Sequence, residues 1–209
     1  MSTRLQWEVG KALRRGWHLN AVNPDSKKGA AVFRTADPNE NRDTTILLET
    51  KLTPPGVLPQ AVVNAWFDNV PDCNIGVDLW ASGLLVIDID HADGLDLLSV
   101  FGELEAVPIV KTARGYHLYY HRPADIETGG CILTETGAKL ADVIGGLEFH
   151  YAMLPGSVHP DGVLYRWFIT PEEVELCDPP DWLLARVVWD TEPYYDGGPD
   201  DDDDDEWEG

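Results

Sequence analysis

The chain has 209 residues, 44% of them hydrophobic, and a formal net charge of −22. That length suits one large domain or two small ones with a real core. No apolar run reaches membrane-spanning length, the N-terminus lacks a signal-peptide core, and three widely spaced cysteines (Cys73, Cys131, Cys177) form no CxxC pair, give no zinc-ribbon signal and fit a reducing cytoplasm.

Leu5, Val9, Ala12 and Leu13 recur at helical spacing, with Arg14 and Arg15 on the other side and Gly16 as the C′ residue. Residues 1–34 carry Arg4, Lys11, Arg14, Arg15, Lys27, Lys28 and Arg34 against only Glu8 and Asp25. A basic start of this kind hints at a polyanion partner, although a basic helix on a solvated surface has the same composition. Trp17 to Val22 reads as a short strand, and Asn23-Pro24-Asp25-Ser26 as a turn. Lys27 and Lys28 precede Gly29 in a loop, where two lysines can reach a phosphate or simply be solvated. Residues 35–44 read as loop, Thr44 to Lys51 as a strand, and Leu58 to Phe67 as a helix closed by Pro71. Asn74 to Val77 is the next strand.

The central stretch is Leu84 to Ile89, a Val/Ile-rich run whose one polar residue is Asp88. It reads as a buried strand. Residues i and i+2 of a strand share a face, so Asp88 and Asp90 aim their carboxylates the same way. Paired carboxylates repel, and a divalent cation relieves that repulsion. From these residues alone two readings stay open: a metal site, or one carboxylate capping the next helix while the other is solvated.

A helix begins near Asp93, with Leu95 to Leu104 amphipathic. Pro108 to Thr112 and Gly115 to His121 read as two strands of a hairpin, joined through Ala113 and Arg114. Residues 122–138 read as a long loop of the type that borders a site. Lys139 to Ile144 is a strand carrying Asp142, Leu147 to Leu154 another, and Val163 to Ile169 a third after a turn-rich loop. Pro171 opens a short acidic helix and Trp182 to Trp189 a last one. From Asp190 onward the chain holds eleven of the 37 acidic residues and no Lys or Arg, including the run Asp200 to Asp205. Such a run cannot build a core, so residues 190–209 read as a disordered acidic tail beyond a domain of residues 1–189.

Three strand-borne features stand out: Asp88 with Asp90, His117, and Asp142. Three carboxylates suit a two-metal nucleotidyl-transfer site, in which cations ~3.5–4 Å apart clamp the attacking and leaving oxygens. Lys111 and Arg114 flank His117 and can share its phosphate contacts. A core histidine and a strand-end carboxylate are the plainer readings of His117 and Asp142.

The order of motifs adds to the spacing. Ala12-Leu13-Arg14-Arg15-Gly16-Trp17 is followed by Pro24-Asp25-Ser26-Lys27-Lys28, Asn74 to Val77 and Ser82 to Asp90. Then come Gly115-Tyr116-His117, Ala141-Asp142-Val143, and a closing run of Pro155, Ser157, His159, Gly162, Tyr165 and Trp167. Over roughly residues 5–168 this set resembles the prim-pol branch of the archaeo-eukaryotic primase superfamily, the small primase-polymerases of phages, plasmids and mobile elements. The resemblance implies an α+β catalytic domain with a modified RRM-like sheet flanked by helices. It implies Asp88, Asp90 and Asp142 as catalytic metal ligands and His117 as a nucleotide-binding residue, with Ser157 and His159 near the nucleotide. Two positions depart from the pattern: Arg114 stands where a glycine is usual, and Ile144 where an arginine is common.

The expected activity is metal-dependent primer or DNA synthesis on a single-stranded template. It uses NTPs or dNTPs with Mg²⁺ or Mn²⁺ and no zinc, in the cytoplasm of a host cell. Lys111 and Arg114 are candidates for the nucleotide, and Arg14, Arg15, Lys27 and Lys28 for nucleic-acid phosphates. A replicative helicase or single-stranded-DNA-binding protein is the candidate protein partner. The alternative is a non-catalytic replication factor or DNA mimic that recruits partners through its acidic tail, and a third reading is a nuclease using the same carboxylates.

Overall fold

The computed structural model describes residues 3–22, 33–34, 45–46, 67, 72–91, 93–99, 102–147 and 150–191. Their elements run α1 (Thr3–Arg14), β1 (His18–Val22), β2 (Phe33–Arg34), β3 (Thr45–Ile46), β4 (Asn74–Asp78), β5 (Leu84–Ile89), α2 (Gly94–Ser99), β6 (Ile109–Lys111), β7 (Tyr116–His121), β8 (Gly130–Leu133), β9 (Lys139–Ile144), β10 (Tyr151–Met153), β11 (Arg166–Ile169), α3 (Asp181–Leu184) and β12 (Val187–Trp189). The fold is α+β, and its ladders are antiparallel. A seven-stranded sheet has the order β11-β6-β7-β5-β9-β8-β12, and a three-stranded sheet the order β1-β4-β10. β2 and β3 pair separately.

β5 lies mid-sheet, and its five apolar residues are buried on both faces. Leu84 and Val86 enter a core shared with α1 and the small sheet. Leu85, Ile87 and Ile89 face a second core with Leu98, Leu140 and Leu183. Each such side chain contributes roughly 1.5–3 kcal/mol of burial, so the position of β5 is strongly fixed. α1 buries Leu5, Val9, Ala12 and Leu13 on its inner face. It stops at Gly16, whose φ of 77° is open to glycine. Trp167 Nε1 donates to the buried Glu8 carboxylate at 2.9 Å and ties β11 to this helix.

Several predicted elements take a different form. In the amphipathic segment 95–104 the described helix runs to Ser99, and residues 102–104 are not helical. Beyond it Gly102 lies flat against the Trp182 indole, where an added Cβ would stand 2.4 Å from the ring. The long loop 122–138 contains β8, because the apolar Cys131-Ile132-Leu133 run completes pairing to both β9 and β12. Pro171 opens a turn rather than a helix, closed by reciprocal hydrogen bonds between Thr170 and Glu173. The last predicted helix is α3 alone; the β-branched pair Val187-Val188 then extends as β12 against β8. The predicted strands at 147–154 and 163–169 shorten to β10 and β11.

The predicted helix at 58–67, apart from the buried Phe67, lies outside the described residues, as do Lys27, Lys28 and the acidic tail beyond Thr191. No helix among the described residues is long and apolar enough to cross a membrane.

Candidate active site

Asp88 interrupts the apolar row of β5 on the face turned toward the small sheet. Register does the rest. Asp88 is the cross-strand partner of His117 on β7 and of Asp142 on β9. Three polar residues, remote in sequence, thus form one row across three adjacent strands. His117 is buried, and its Nε2 lies 3.3 Å from Asp88 Oδ1. Its Nδ1 is buried without a hydrogen-bond partner among the described residues. Gly115 explains why a small residue precedes this histidine by two. A Cβ there would stand 1.7 Å from the Ile89 carbonyl oxygen, so only glycine lets β7 close against the end of β5.

Asp88 and Asp90 open into a cavity of about 300 Å³, at the lower end of the usual ligand-pocket range. The β6–β7 turn (Thr112, Ala113, Arg114) forms one wall. β10 (Tyr151, Ala152, Met153) forms another, and His117, Ile144, His150, His159 and Tyr165 complete the lining. Thr112 shapes the turn: its hydroxyl accepts from the N–H groups of Arg114 and Gly115 at 3.3 and 2.9 Å. Ile144, where the resemblance has an arginine, faces this cavity, so the charge missing there is missing from the site itself.

The loop bearing His159 and Tyr165 is clipped to β4. Asn74 Nδ2 donates to the Val158 carbonyl at 2.7 Å, and the Val158 N–H donates to Asn74 Oδ1 at 2.8 Å. The buried Ser157 hydroxyl accepts from the Ile75 N–H at 3.0 Å and donates to the Ile75 carbonyl at 3.1 Å. Ser157 therefore spends its hydroxyl on the backbone and is not part of the cavity lining.

Charges are largely matched in pairs. Arg114 Nη2 lies 3.0 Å from Asp90 Oδ2, and Lys139 Nζ 2.9 Å from Asp142 Oδ2. The Asp142 hydrogen bond raises the Lys139 ammonium above the usual lysine value. Burial pushes the Tyr165 phenol up to about 12, with the Asp88 carboxylate adding to it. The same two causes, in the same order, raise Tyr119, which stacks on Trp17 with ring centroids 5.9 Å apart. Both phenols thus stay protonated. Burial lowers His150, and its Nδ1 accepts the Gly145 N–H at 3.2 Å, which places the proton of the neutral ring on Nε2. His159 Nδ1 is reached at 3.1 Å by both the Asp161 N–H and Asp161 Oδ2. One nitrogen serves only one of these at a time: it accepts the N–H when bare and donates to the carboxylate when it carries a proton.

The predicted residues divide accordingly. Asp88, Asp90, Arg114, His117 and His159 line one cavity. Asp142 joins Asp88 in register but is not among the lining residues. Lys111 turns away, its ammonium 3.8 Å over the Tyr116 ring. Arg15 and Lys11 both engage Glu172, so much of the α1 charge is matched internally; Arg14 stays exposed. Sequence reasoning missed His150 and Tyr151, which sit in a run read only as a strand, and the Asn74 clip, for which the neighbouring Asn-Ile-Gly-Val motif was the available signal.

Carboxylates are the hard oxygen donors that Mg²⁺ and Mn²⁺ select. Among the described residues no three His, Cys, Asp or Glu side chains gather closely enough to hold a metal ion. The carboxylates of Asp90 and Asp142 face Arg114 and Lys139, whose side chains are more than half exposed. Exposed pairs of this kind are worth only about 0–1 kcal/mol. A cation can replace them at small cost, so the donor set fits a divalent metal in kind.

Fold and site together define an α+β protein with a carboxylate- and histidine-lined cavity at the end of a central antiparallel strand. The chain belongs to the Prim-Pol family, described as bifunctional DNA primase/polymerase, N-terminal, whose model matches residues 10–182. That family implies DNA and nucleotides as substrates. No curated protein matches the chain.

Proposed function

We propose that residues 1–189 form a metal-dependent nucleotidyltransferase that makes or extends primers on a single-stranded DNA template. The observation that carries this reading is the cross-strand row His117–Asp88–Asp142, with Asp90 two residues along and Arg114 beside it. The central sheet is read as the modified RRM-like sheet of this superfamily. Asp88, Asp90 and Asp142 would hold Mg²⁺ or Mn²⁺, which supplies charge neutralisation for the phosphates and lowers the pKa of the attacking 3′-hydroxyl.

The chain's own residues do the positioning. Arg114 is exposed, and its surface pair with Asp90 costs little to exchange for a charge-assisted contact to a phosphate. It takes up the role left open by Ile144. His117 is held by Asp88 and by its buried strand, and its ring lines the cavity at a fixed position beside the phosphates. Tyr165 and His150, both uncharged at neutral pH, provide polar contacts without adding charge. NTPs or dNTPs are the substrates, and a helicase or single-stranded-DNA-binding protein is the expected partner.

The test is direct. The full chain is incubated with single-stranded DNA, nucleotides and Mn²⁺, beside a variant carrying Asp88→Ala and Asp90→Ala. Product from the wild type alone is expected; equal product from both proteins sinks the assignment.

A further inference from the structure

A second recess lies behind the β6–β7 turn. Thr112 and Ala113 line both it and the acidic cavity, so two residues of one turn divide the two sites. Arg4 from α1, Lys111 from β6 and Arg166 from β11 converge on this recess, and no carboxylate is among its lining residues. The protein as a whole has a net charge of −22. The other cations near the site have carboxylate partners: Lys11 and Arg15 take Glu172, Arg114 takes Asp90, and Lys139 takes Asp142. Arg4, Lys111 and Arg166 take none among the described residues. Three like charges from three elements repel one another, and an anion removes that repulsion.

An aromatic shelf continues the recess. Arg166, Lys111 and Tyr116 are successive cross-strand neighbours on β11, β6 and β7. Phe168, two residues beyond Arg166, is 61% exposed, and its ring meets Tyr116 edge-on with centroids 5.9 Å apart. A large apolar ring left open beside cations that have no carboxylate partner among the described residues suits one chemistry well. Single-stranded nucleic acid offers phosphates to the cations and unstacked base faces to the ring, whereas a duplex keeps its base faces covered.

We infer that the Arg4–Lys111–Arg166 recess and the Tyr116–Phe168 shelf form the track for single-stranded nucleic acid leading to the acidic cavity. The inference rests on the proposed function for the direction of the track, and on the structure for its residues. It moves strand binding from the outer face of α1, where Glu172 has already matched Lys11 and Arg15, to the far side of the Arg114 turn.

Fluorescence anisotropy of the full chain with a labelled single-stranded oligonucleotide, across a salt series, tests it. The variants are Arg4→Glu with Arg166→Glu, Phe168→Ala, and Arg186→Ala as a control beside the opposite edge strand. All are exposed positions, and thermal unfolding checks that each folds. The double reversal is expected to weaken binding at least tenfold. It should also flatten the salt dependence by about 1.4, from roughly 0.7 per lost phosphate contact on a single strand. Phe168→Ala is expected to cost about 5- to 150-fold through lost base stacking, and Arg186→Ala nothing. Wild-type affinity and salt slope in the double reversal overturn the inference. So does a loss confined to free nucleoside triphosphate, which would assign the recess to the nucleotide instead. Absence of template-directed product from the wild type would overturn the proposed function and leave this binding comparison intact.

Discussion

Replacing Asn74 by alanine removes both hydrogen bonds that hold the His159–Tyr165 loop to β4. Neutral pairs of this kind contribute about 1 kcal/mol each. Val158 is 42% exposed, so its freed N–H and C=O regain water and add little further penalty. The expected loss is about 2 kcal/mol, which for a chain of this size lowers Tm by roughly 4–8 °C. Asn74→Asp is isosteric but does not rescue. It keeps the acceptor for the Val158 N–H and sets a carboxylate oxygen where Nδ2 now donates to the Val158 carbonyl at 2.7 Å. It should therefore destabilise at least as much as alanine. In activity, the loosened loop withdraws His159 and Tyr165 from the nucleotide, while the Asp88 row on the large sheet stays in place. Nucleotide KM is expected to rise several-fold with a smaller change in kcat. Calorimetry and steady-state extension kinetics read both effects. An Asn74→Ala protein that melts with the wild type, or that loses kcat at unchanged KM, would refute the role of the clip.

Gly115→Ala places a Cβ against the Ile89 carbonyl and 2.9 Å from the His91 nitrogen, both backbone atoms that cannot turn aside. It should cost about 1–3 kcal/mol or more as overpacking and depress activity by separating His117 from Asp88; a wild-type melting curve with full activity would contradict this. Lys139→Ala removes the ammonium paired with Asp142. Stability should change by less than about 1 kcal/mol, as for an exposed pair, while Mn²⁺ binds several-fold more tightly by titration calorimetry. Unchanged or weaker Mn²⁺ affinity would mean that Lys139 does not compete with the metal. At alkaline pH, Cys73 and Tyr165 are each pushed up to about 12 in the fold, from 9.0 and 10.0. Groups with raised values hold their protons longer folded than unfolded, so their stabilisation is full below pH 9 and is lost as pH rises toward 12. Urea midpoints should fall across that window and be flat from pH 7 to 8.5; a midpoint that rises above pH 9 would reverse the sign.

The sequence made β5 plain, because an uninterrupted Val/Ile/Leu run with one aspartate has few other uses. It also made Asp142 and His117 candidates, but only the ladder shows that both are direct neighbours of Asp88. Register between strands is a property of pairing, and no local pattern in 116–121 or 139–144 encodes it. The elements misread as helix or loop fail for a related reason. Gly130 to Leu133 and Val187 to Trp189 are short apolar runs whose strand character comes from each other, across more than fifty residues. Charge reading was least reliable on α1. Arg15 and Lys11 look free along the chain, yet Glu172 folds back onto them, while Arg4 and Arg166 meet only through the tertiary fold. Polar clips such as Asn74 with Val158 escape sequence reading because Asn74 reads only as the first residue of a strand, and the backbone its amide meets lies 84 residues away.

A crystal structure of the protein with Mn²⁺ and a non-hydrolysable nucleoside triphosphate tests the central claim most directly. The expected result is anomalous metal density held by Asp88 and Asp90, with Asp142 released from Lys139 to join them, and phosphates at His117 and Arg114. Nucleotide bound away from His117, or Mn²⁺ that leaves all three carboxylates untouched, would contradict it.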